Sequence, residues 1–223
     1  FDNNDRPGIL LSSSIKRYAD LFGVACGEKN ILFTNNDSAY ETAISLIQKG
    51  INIEAIIDNR EEVDSRLVYE VEKNNTKIFK GFTVTDTSGY KRINKISIMQ
   101  LSKDGQKVIG SKINLSCDCL GVSGGWTPAV HLFTQSGGKL KFRDEDQTFI
   151  PDIYPSDQLS IGACNGDLNL DEILSNVPQV LKKFLNLKDT EYANLEILSS
   201  TNKSKRNIWL LPSDKILGKT KSF

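Results

Sequence analysis

Apolar and polar positions follow two different periods along this chain. From residue 30 to about 84 they spell strand, helix, strand, helix, strand. Residues 30–34 are a continuous apolar run of buried-strand length, followed by the turn Asn35-Asn36-Asp37. Residues 38–49 repeat apolar side chains at helical spacing (Tyr40, Ala43, Ile44, Ile47) and stop at Gly50, with Ser38 and Glu41 spaced as a capping box. Residues 51–57 predict a second strand ending at Asp58, 61–75 a helix with Leu67, Val68 and Val71 inward, and 76–84 a third strand. Such a β-α-β-α-β order demands crossovers and hence a parallel sheet. Upstream, Ser12-Ser13-Ser14 predicts the cap of a short helix with Ile15, Tyr18, Ala19 and Phe22 on its apolar face, closed by Gly23.

Beyond residue 84 the period shortens to two. Residues 90–101 and 106–115 alternate as antiparallel strands around an Asp104-Gly105 turn. A buried strand at 118–123 then runs into Gly124-Gly125, giving the sheet a fourth parallel strand after an antiparallel β crossover. A short strand is expected at 159–163, a helix from Leu170 capped by Asn169, and another helix over 177–187. From Ser199 a polar tail carries one apolar anchor, Trp209-Leu210-Leu211, and the cluster Lys203, Lys205 and Arg206 reads as a solvated face.

Charge narrows the function classes. The 223 residues hold 28 Lys and Arg against 28 Asp and Glu. Zero net charge gives no overall attraction to a polyanion, so nucleic acid and anionic membrane are poor partners. No apolar run approaches the ~20 residues that span a bilayer. The four cysteines, with Cys117 and Cys119 one residue apart, do not make a CxxC pair, which predicts reduced thiols in a cytoplasmic protein. The four Asn-x-Ser/Thr sequons, at Asn36, Asn74, Asn114 and Asn202, follow from composition and require no glycan. One histidine and no cysteine pair leave no visible metal site. The first residue is Phe1, not Met, and the last residues, Lys221-Ser222-Phe223, carry no capping pattern, which predicts a fragment of a longer polypeptide.

The order of elements resembles the flavin- and NAD-linked disulfide-reductase superfamily, in which an NAD-type domain is inserted into an FAD-type domain. By that resemblance residues 24–117 are the insert, residues 1–23 and 118–176 are part of an FAD-like domain, and 177–223 are helix and linker. Two stretches are closer to one family. Asn4-Asp5-Arg6-Pro7-Gly8-Ile9-Leu10-Leu11 and the string from Val122 to Leu140, containing Ser123-Gly124-Gly125-Trp126-Thr127-Pro128, resemble the alpha subunit of heterotetrameric sarcosine oxidases. Residues 33–40 fit the same family. The resemblance implies a tail leading toward an aminomethyltransferase domain, and beta, gamma and delta subunits as partners. It further implies NAD in the FAD-like pocket, FAD and FMN elsewhere in the complex, and tetrahydrofolate as co-substrate.

The residues themselves point to few working groups. Placed on a GxGxxG dinucleotide fingerprint, the glycine positions hold Thr34, Asn36 and Ala39, while Asp37 and Glu41 put negative charge where phosphates need a positive field. The insert is thus expected to be a degenerate dinucleotide fold, with Asp58 placed as a strand-end ribose ligand. The better cofactor candidates are Ser123, Gly124 and Gly125 after one strand, and Gly162, Ala163, Asn165 and Gly166 after another, since open α/β sheets bind ligands at carboxyl ends of strands. In flavoproteins of the superfamily the second of these turns usually has Asp after its Gly, contacting the flavin; Ala163 follows Gly162 here. No catalytic residue is predicted. The GxSxG match at Gly121–Gly125 is not a hydrolase elbow, because Trp126-Thr127-Pro128 follows instead of a helix and the one histidine, His131, comes eight residues later with no acid between. His131 is expected in the core. Three readings stay open: part of a sarcosine oxidase, a disulfide-reductase-type oxidoreductase, and a non-catalytic scaffold. Self-association is expected through Leu10, Leu11, Leu120 and Ile161.

Overall fold

The computed structural model describes residues 1–155, 157–186, 208 and 211–214. Its elements are β1 (Ile9–Leu11), α1 (Ser12–Phe22), β2 (Asn30–Thr34), α2 (Ser38–Ile47), β3 (Ile53–Asp58), α3 (Ser65–Glu72), β4 (Lys77–Lys80), β5 (Phe82–Gly89), β6 (Ile93–Leu101), β7 (Val108–Ser116) and β8 (Cys119–Ser123), then α4 (His131–Gln135), β9 (Lys139–Arg143), β10 (Thr148–Ile153), a 3-10 turn at Gly162–Asn165 and α5 (Leu170–Phe184). They divide between two compact units, Phe1–Gly125 with Asn202–Phe223, and Trp126–Thr201.

The first unit has three layers. A five-stranded parallel sheet runs in the order β1-β8-β2-β3-β4, and a three-stranded antiparallel sheet runs β5-β6-β7. Strand alternation sends successive side chains of the parallel sheet to opposite sides. Leu32, Ile56 and Cys119 join Ile15, Ala43, Leu46, Val68 and Val71 under the helices. Ile31, Phe33, Ala55, Ile57 and Leu120 instead meet Val84, Ile93, Ile96 and Ile98 of the antiparallel sheet. With both faces covered, all five residues of β2 are buried, as a central parallel strand requires. Gly121 marks a close approach: a Cβ there would stand 2.5 Å from Leu32 Cδ2 and 2.8 Å from Ile15 Cδ1.

The parallel sheet, its helices and the antiparallel crossover agree with the sequence pattern; several details differ. Ile9–Leu11 forms an edge strand that the pattern did not predict, running straight into α1 without a side-chain cap from the serines. Gly23 does close α1, in the left-handed conformation, yet Tyr18 and Phe22 on its expected apolar face are exposed. The expected strand 76–84 is split at Gly81 (φ +72), so that β4 stays in the parallel sheet and β5 begins the antiparallel one. Residues 9–11 and 119–123 share one sheet with strands from residues 30–80. Leu120, expected on an association surface, is fully buried, and Leu10 packs against the helix-side core.

The second unit is small. Phe133 of α4 packs edge-on against Tyr154 with ring centroids 5.0 Å apart, and Gly138 leaves room for the Phe133 ring. The β9–β10 hairpin pairs Phe142 with Phe149 across its strands. Residues 159–163 are not a strand: Gly162 (φ +75) and Gly166 (φ +88) curl the chain into the 3-10 turn. The two helices expected after residue 169 are one, Leu170–Phe184, with Pro178 inside it and Asn169 capping through a 3.2 Å bond from the Asp171 amide. The Trp209 and Leu210 anchor residues and the basic cluster at 203–206 lie outside the described residues; Leu211 packs against the antiparallel-sheet side of the core.

Candidate functional site

In the first unit the carboxyl ends of β2 and β8 lie side by side, with Thr34 opposite Ser123. From β2 the chain passes to the helix layer, whereas β8 arrives from the antiparallel layer, so this junction is where an open α/β sheet forms its ligand crevice. Here the junction is bridged by side chains. Asn36 Nδ2 donates to Asn35 Oδ1 (2.8 Å), the Ser123 carbonyl (3.0 Å) and Ser123 Oγ (3.2 Å). Asn36 Oδ1 accepts from the Ser38 amide (3.1 Å) and from Ser38 Oγ (2.5 Å), while Asn35 Nδ2 donates to the Gly124 carbonyl (2.9 Å). Thr34 Oγ1 donates to the Asn36 carbonyl at 2.9 Å. The capping box does not form, because the Ser38 hydroxyl is turned to Asn36 and Asp37 occupies the N-cap.

An amide oxygen thus does at the start of α2 what a phosphate oxygen does in a dinucleotide site: it accepts from an N–H of the helix entrance. Asn35 and Asn36 are 4% and 6% exposed, so their side chains fill the place where glycines would admit a ligand. The residues present do not fit a pyrophosphate here. Ser123 serves the same network, Gly124 has open space at its missing Cβ, and Gly125 (φ +125) turns the chain beside Asn35.

Asp58, expected from its strand-end position as a ribose ligand, is enclosed by its neighbours. It is 0% exposed and paired with Arg60, whose Nη2 lies 2.8 Å from Oδ2. The Arg60 amide (2.9 Å) and Nε (3.1 Å) donate to Oδ1, and Tyr40 Oη donates to Oδ2 at 3.1 Å. Arg60 Nη1 reaches on to Asp37 Oδ1 at 2.7 Å. One buried guanidinium therefore ties the end of β3 to the start of α2. Burial pushes the Asp58 carboxyl above its usual range against the pull of Arg60; burial lowers the guanidinium, and Asp58 and Asp37 more than reverse this. The two shifts pull in opposite senses on the pair, and the hydrogen bonds from Arg60 and Tyr40 decide for an ionised one. Burial and Asp58 together push the Tyr40 phenol well up.

The remaining predicted site residues belong to the second unit, and there too they serve the chain itself. Asn165 accepts from Tyr154 Oη (2.9 Å) and donates to Asp167 Oδ2 (3.2 Å). The Gly166 carbonyl accepts from Arg143 Nη2 (3.0 Å), and the Gly166 amide returns to Ala163. Gly162 packs beside Ile173. Asp146 fixes Arg143 through Nε at 2.9 Å, which holds the Asp146 carboxyl below its usual range. His131 is exposed at the start of α4, not in a core. Among the described residues no group of His, Cys, Asp and Glu could hold a metal ion, and no helix is long and apolar enough to cross a membrane. Sequence reasoning missed Arg60 and Tyr40; the Asp58-x-Arg60 spacing and the Asn doublet were the signals available.

No family model matches the chain. Among curated proteins it is 33% identical over 175 residues, 78% of its length, to sarcosine oxidase subunit alpha of Corynebacterium sp. (strain U-96). The chain is similar to a segment of sarcosine oxidase subunit alpha. Subunit alpha of Rhizobium meliloti (strain 1021) is 30% identical over 152 residues, 67% of the chain. The chain spans 18% and 14% of the length of these two sarcosine oxidase subunits. Solved structures bear on the fold alone. The flavoprotein disulfide reductase RclA of Escherichia coli has a TM-score of 0.56 at 14% identity, covering 81% of this chain and 39% of that one. Mycobacterium tuberculosis FprA in complex with NADPH also scores 0.56, at 13% identity, covering 83% and 60%. The architecture is thus the Rossmann-like one of FAD- and NAD-linked oxidoreductases, reached here with an asparagine-filled crevice.

Proposed function

We propose that this chain is a scaffold segment of the alpha subunit of a cytoplasmic sarcosine oxidase, and that its own strand-end crevice holds no dinucleotide. The parent complex, with beta, gamma and delta subunits, would oxidise sarcosine with oxygen to glycine and hydrogen peroxide and pass the methyl carbon to tetrahydrofolate as 5,10-methylenetetrahydrofolate. Similarity to two sarcosine oxidase alpha subunits supports the assignment to an oxidoreductase. FAD, FMN and NAD belong in this reading to parts of the complex outside this segment's crevice.

The observation that carries the scaffold reading is the Asn36 side chain, bonded at once to Ser38 and Ser123. Opening the crevice would strip several buried hydrogen bonds, each worth about 1 kcal/mol net and more if left unsatisfied. Calorimetric titration of the chain with NAD and with FAD is expected to give dissociation constants of roughly millimolar or weaker. Micromolar binding of either would overturn the reading, as would sarcosine-dependent peroxide release by this chain alone.

A further inference from the structure

The chain contains one Asn-Gly pair, Asn165-Gly166. In such a pair the glycine amide nitrogen has no side chain beside it and can attack the side-chain carbonyl carbon of the asparagine. Its proton passes to solvent base, the bond to the side-chain nitrogen breaks, and that nitrogen takes up a proton and leaves as ammonia. Water then opens the cyclic succinimide to aspartate or, at its other carbonyl, to isoaspartate. The fold demands the glycine. Gly166 is buried in the left-handed region (φ +88), and a Cβ there would stand 2.8 Å from Ile150 Cγ2 and 2.9 Å from Arg143 Nη2. A side chain that would shield the amide therefore has no room.

Hydrogen bonds occupy both reacting groups instead. The Gly166 amide donates to the Ala163 carbonyl at 3.2 Å, and the next amide, of Asp167, donates to the Gly162 carbonyl at 3.1 Å. Asn165 is held at both ends of its side-chain amide, by Tyr154 Oη at 2.9 Å and Asp167 Oδ2 at 3.2 Å. The edge of contact between Phe133 and the Tyr154 ring fixes the phenol, and Arg143 holds the Gly166 carbonyl. We propose that Asn165-Gly166 is a deamidation site that the Gly162–Gly166 turn keeps latent and that reacts when this turn opens. The product does not fit the closed turn. A carboxylate replaces the donor that faces Asp167, and isoaspartate lengthens the backbone by one carbon just before the carbonyl that Arg143 holds. Opening of the second unit is thereby recorded covalently.

The test is incubation of the full chain at pH 8, in buffer and in urea, with peptide mass spectrometry following the conversion of amide to acid at position 165. The reaction in urea should be at least about tenfold faster, because the folded chain reacts only through its open fraction. Tyr154→Phe keeps the ring against Phe133 and loses the bond to Asn165. It should speed the reaction in buffer about fivefold, the factor for one hydrogen bond of about 1 kcal/mol, and leave the rate in urea unchanged. Asn165→Asp, which carries the charge of the product, should make the second unit several times more sensitive to protease. Equal rates in buffer and urea would overturn the proposal, as would no acid at position 165 in either. A Tyr154→Phe rate in buffer equal to or below that of the wild type would overturn the latching role of the turn, and an Asn165→Asp chain as resistant as the wild type would overturn the covalent record.

Discussion

The two units differ most in how deeply their side chains are buried. In the first, polar groups at the end of the parallel sheet turn inward and bond to one another: Asp58 to Arg60 and Tyr40, Asn36 to Ser38 and Ser123. The second buries little: among its described residues Phe133 and Ile150 are the buried hydrophobic side chains, Phe142 and Phe149 are 49% and 56% exposed, and no residue of α5 is buried. A fold can therefore keep the outline of a ligand-binding sheet while its polar groups bond to one another.

Arg60 gives the hardest test of that contrast. Arg60→Met leaves a buried carboxylate without its cation and should cost about 3–5 kcal/mol of stability in urea unfolding. Adding Asp58→Asn should recover much of the loss, because the uncompensated charge is then gone. Leu181→Ala on α5 should stay within about 0.5 kcal/mol, as for surface positions generally. Equal losses at the two sites would erase the difference between the units.

Glycines sharpen the comparison at smaller cost. Gly121→Ala forces a methyl group against Leu32 and Ile15 and should destabilise by about 1–3 kcal/mol. Gly124→Ala, three residues on, meets nothing and should change the melting temperature little. If the second change were the costlier one, the turn after β8 would be doing something the hydrogen-bond network does not account for.

Much of the first unit was legible because its strands are buried on both faces and its helices on one, so period alone separates them. β2, α2 and β3 fall within a few residues of where the pattern puts them. What escaped was set by single backbone positions or by distant partners. Three residues of β1 are too few to show a period, and Gly81 divides two strands that read as one. The β9–β10 hairpin exposes apolar side chains on an edge, so its Lys-Leu-Lys-Phe-Arg run carried no sign of a core. The helix from Leu170 and the one over 177–187 read as two elements, yet a single helix runs through Pro178. At the candidate site the loss of the glycines was visible in sequence. The use of Asp58 was not, since its fate depends on Arg60 folding back and on Tyr40 from a neighbouring helix.

The mildest test concerns thiols. Burial pushes Cys117 and Cys119 up to about 12, with Asp118 adding to the effect at Cys117 and Cys26 at Cys119. A thiol with a raised pKa is protonated, and so unreactive, at all pH values well below it. Burial raises the Cys26 thiol too, against the pull of Arg92, so accessibility separates the four: at pH 8 the folded protein should alkylate at the half-buried Cys164 and Cys26, with the buried Cys117 and Cys119 reacting only after unfolding, as mass spectrometry of the labelled chain would count.

The place of β8 bears on how the chain assembles. It lies between β1 and β2, pairing Ile9 with Leu120 on one side and Ile31 with Leu120 on the other, although it is the last of the five strands to be synthesised. Until residue 123 has left the ribosome, β1 and β2 lack the strand that joins them, while the antiparallel hairpins can already close locally. Pairings this far apart in sequence are slow to form and leave strand edges uncovered in the meantime. Completion of the sheet is then a single late insertion, and a ribosome stalled shortly before Cys119 would hold a nascent chain exposed to aggregation at the very edges that β8 is shaped to fill.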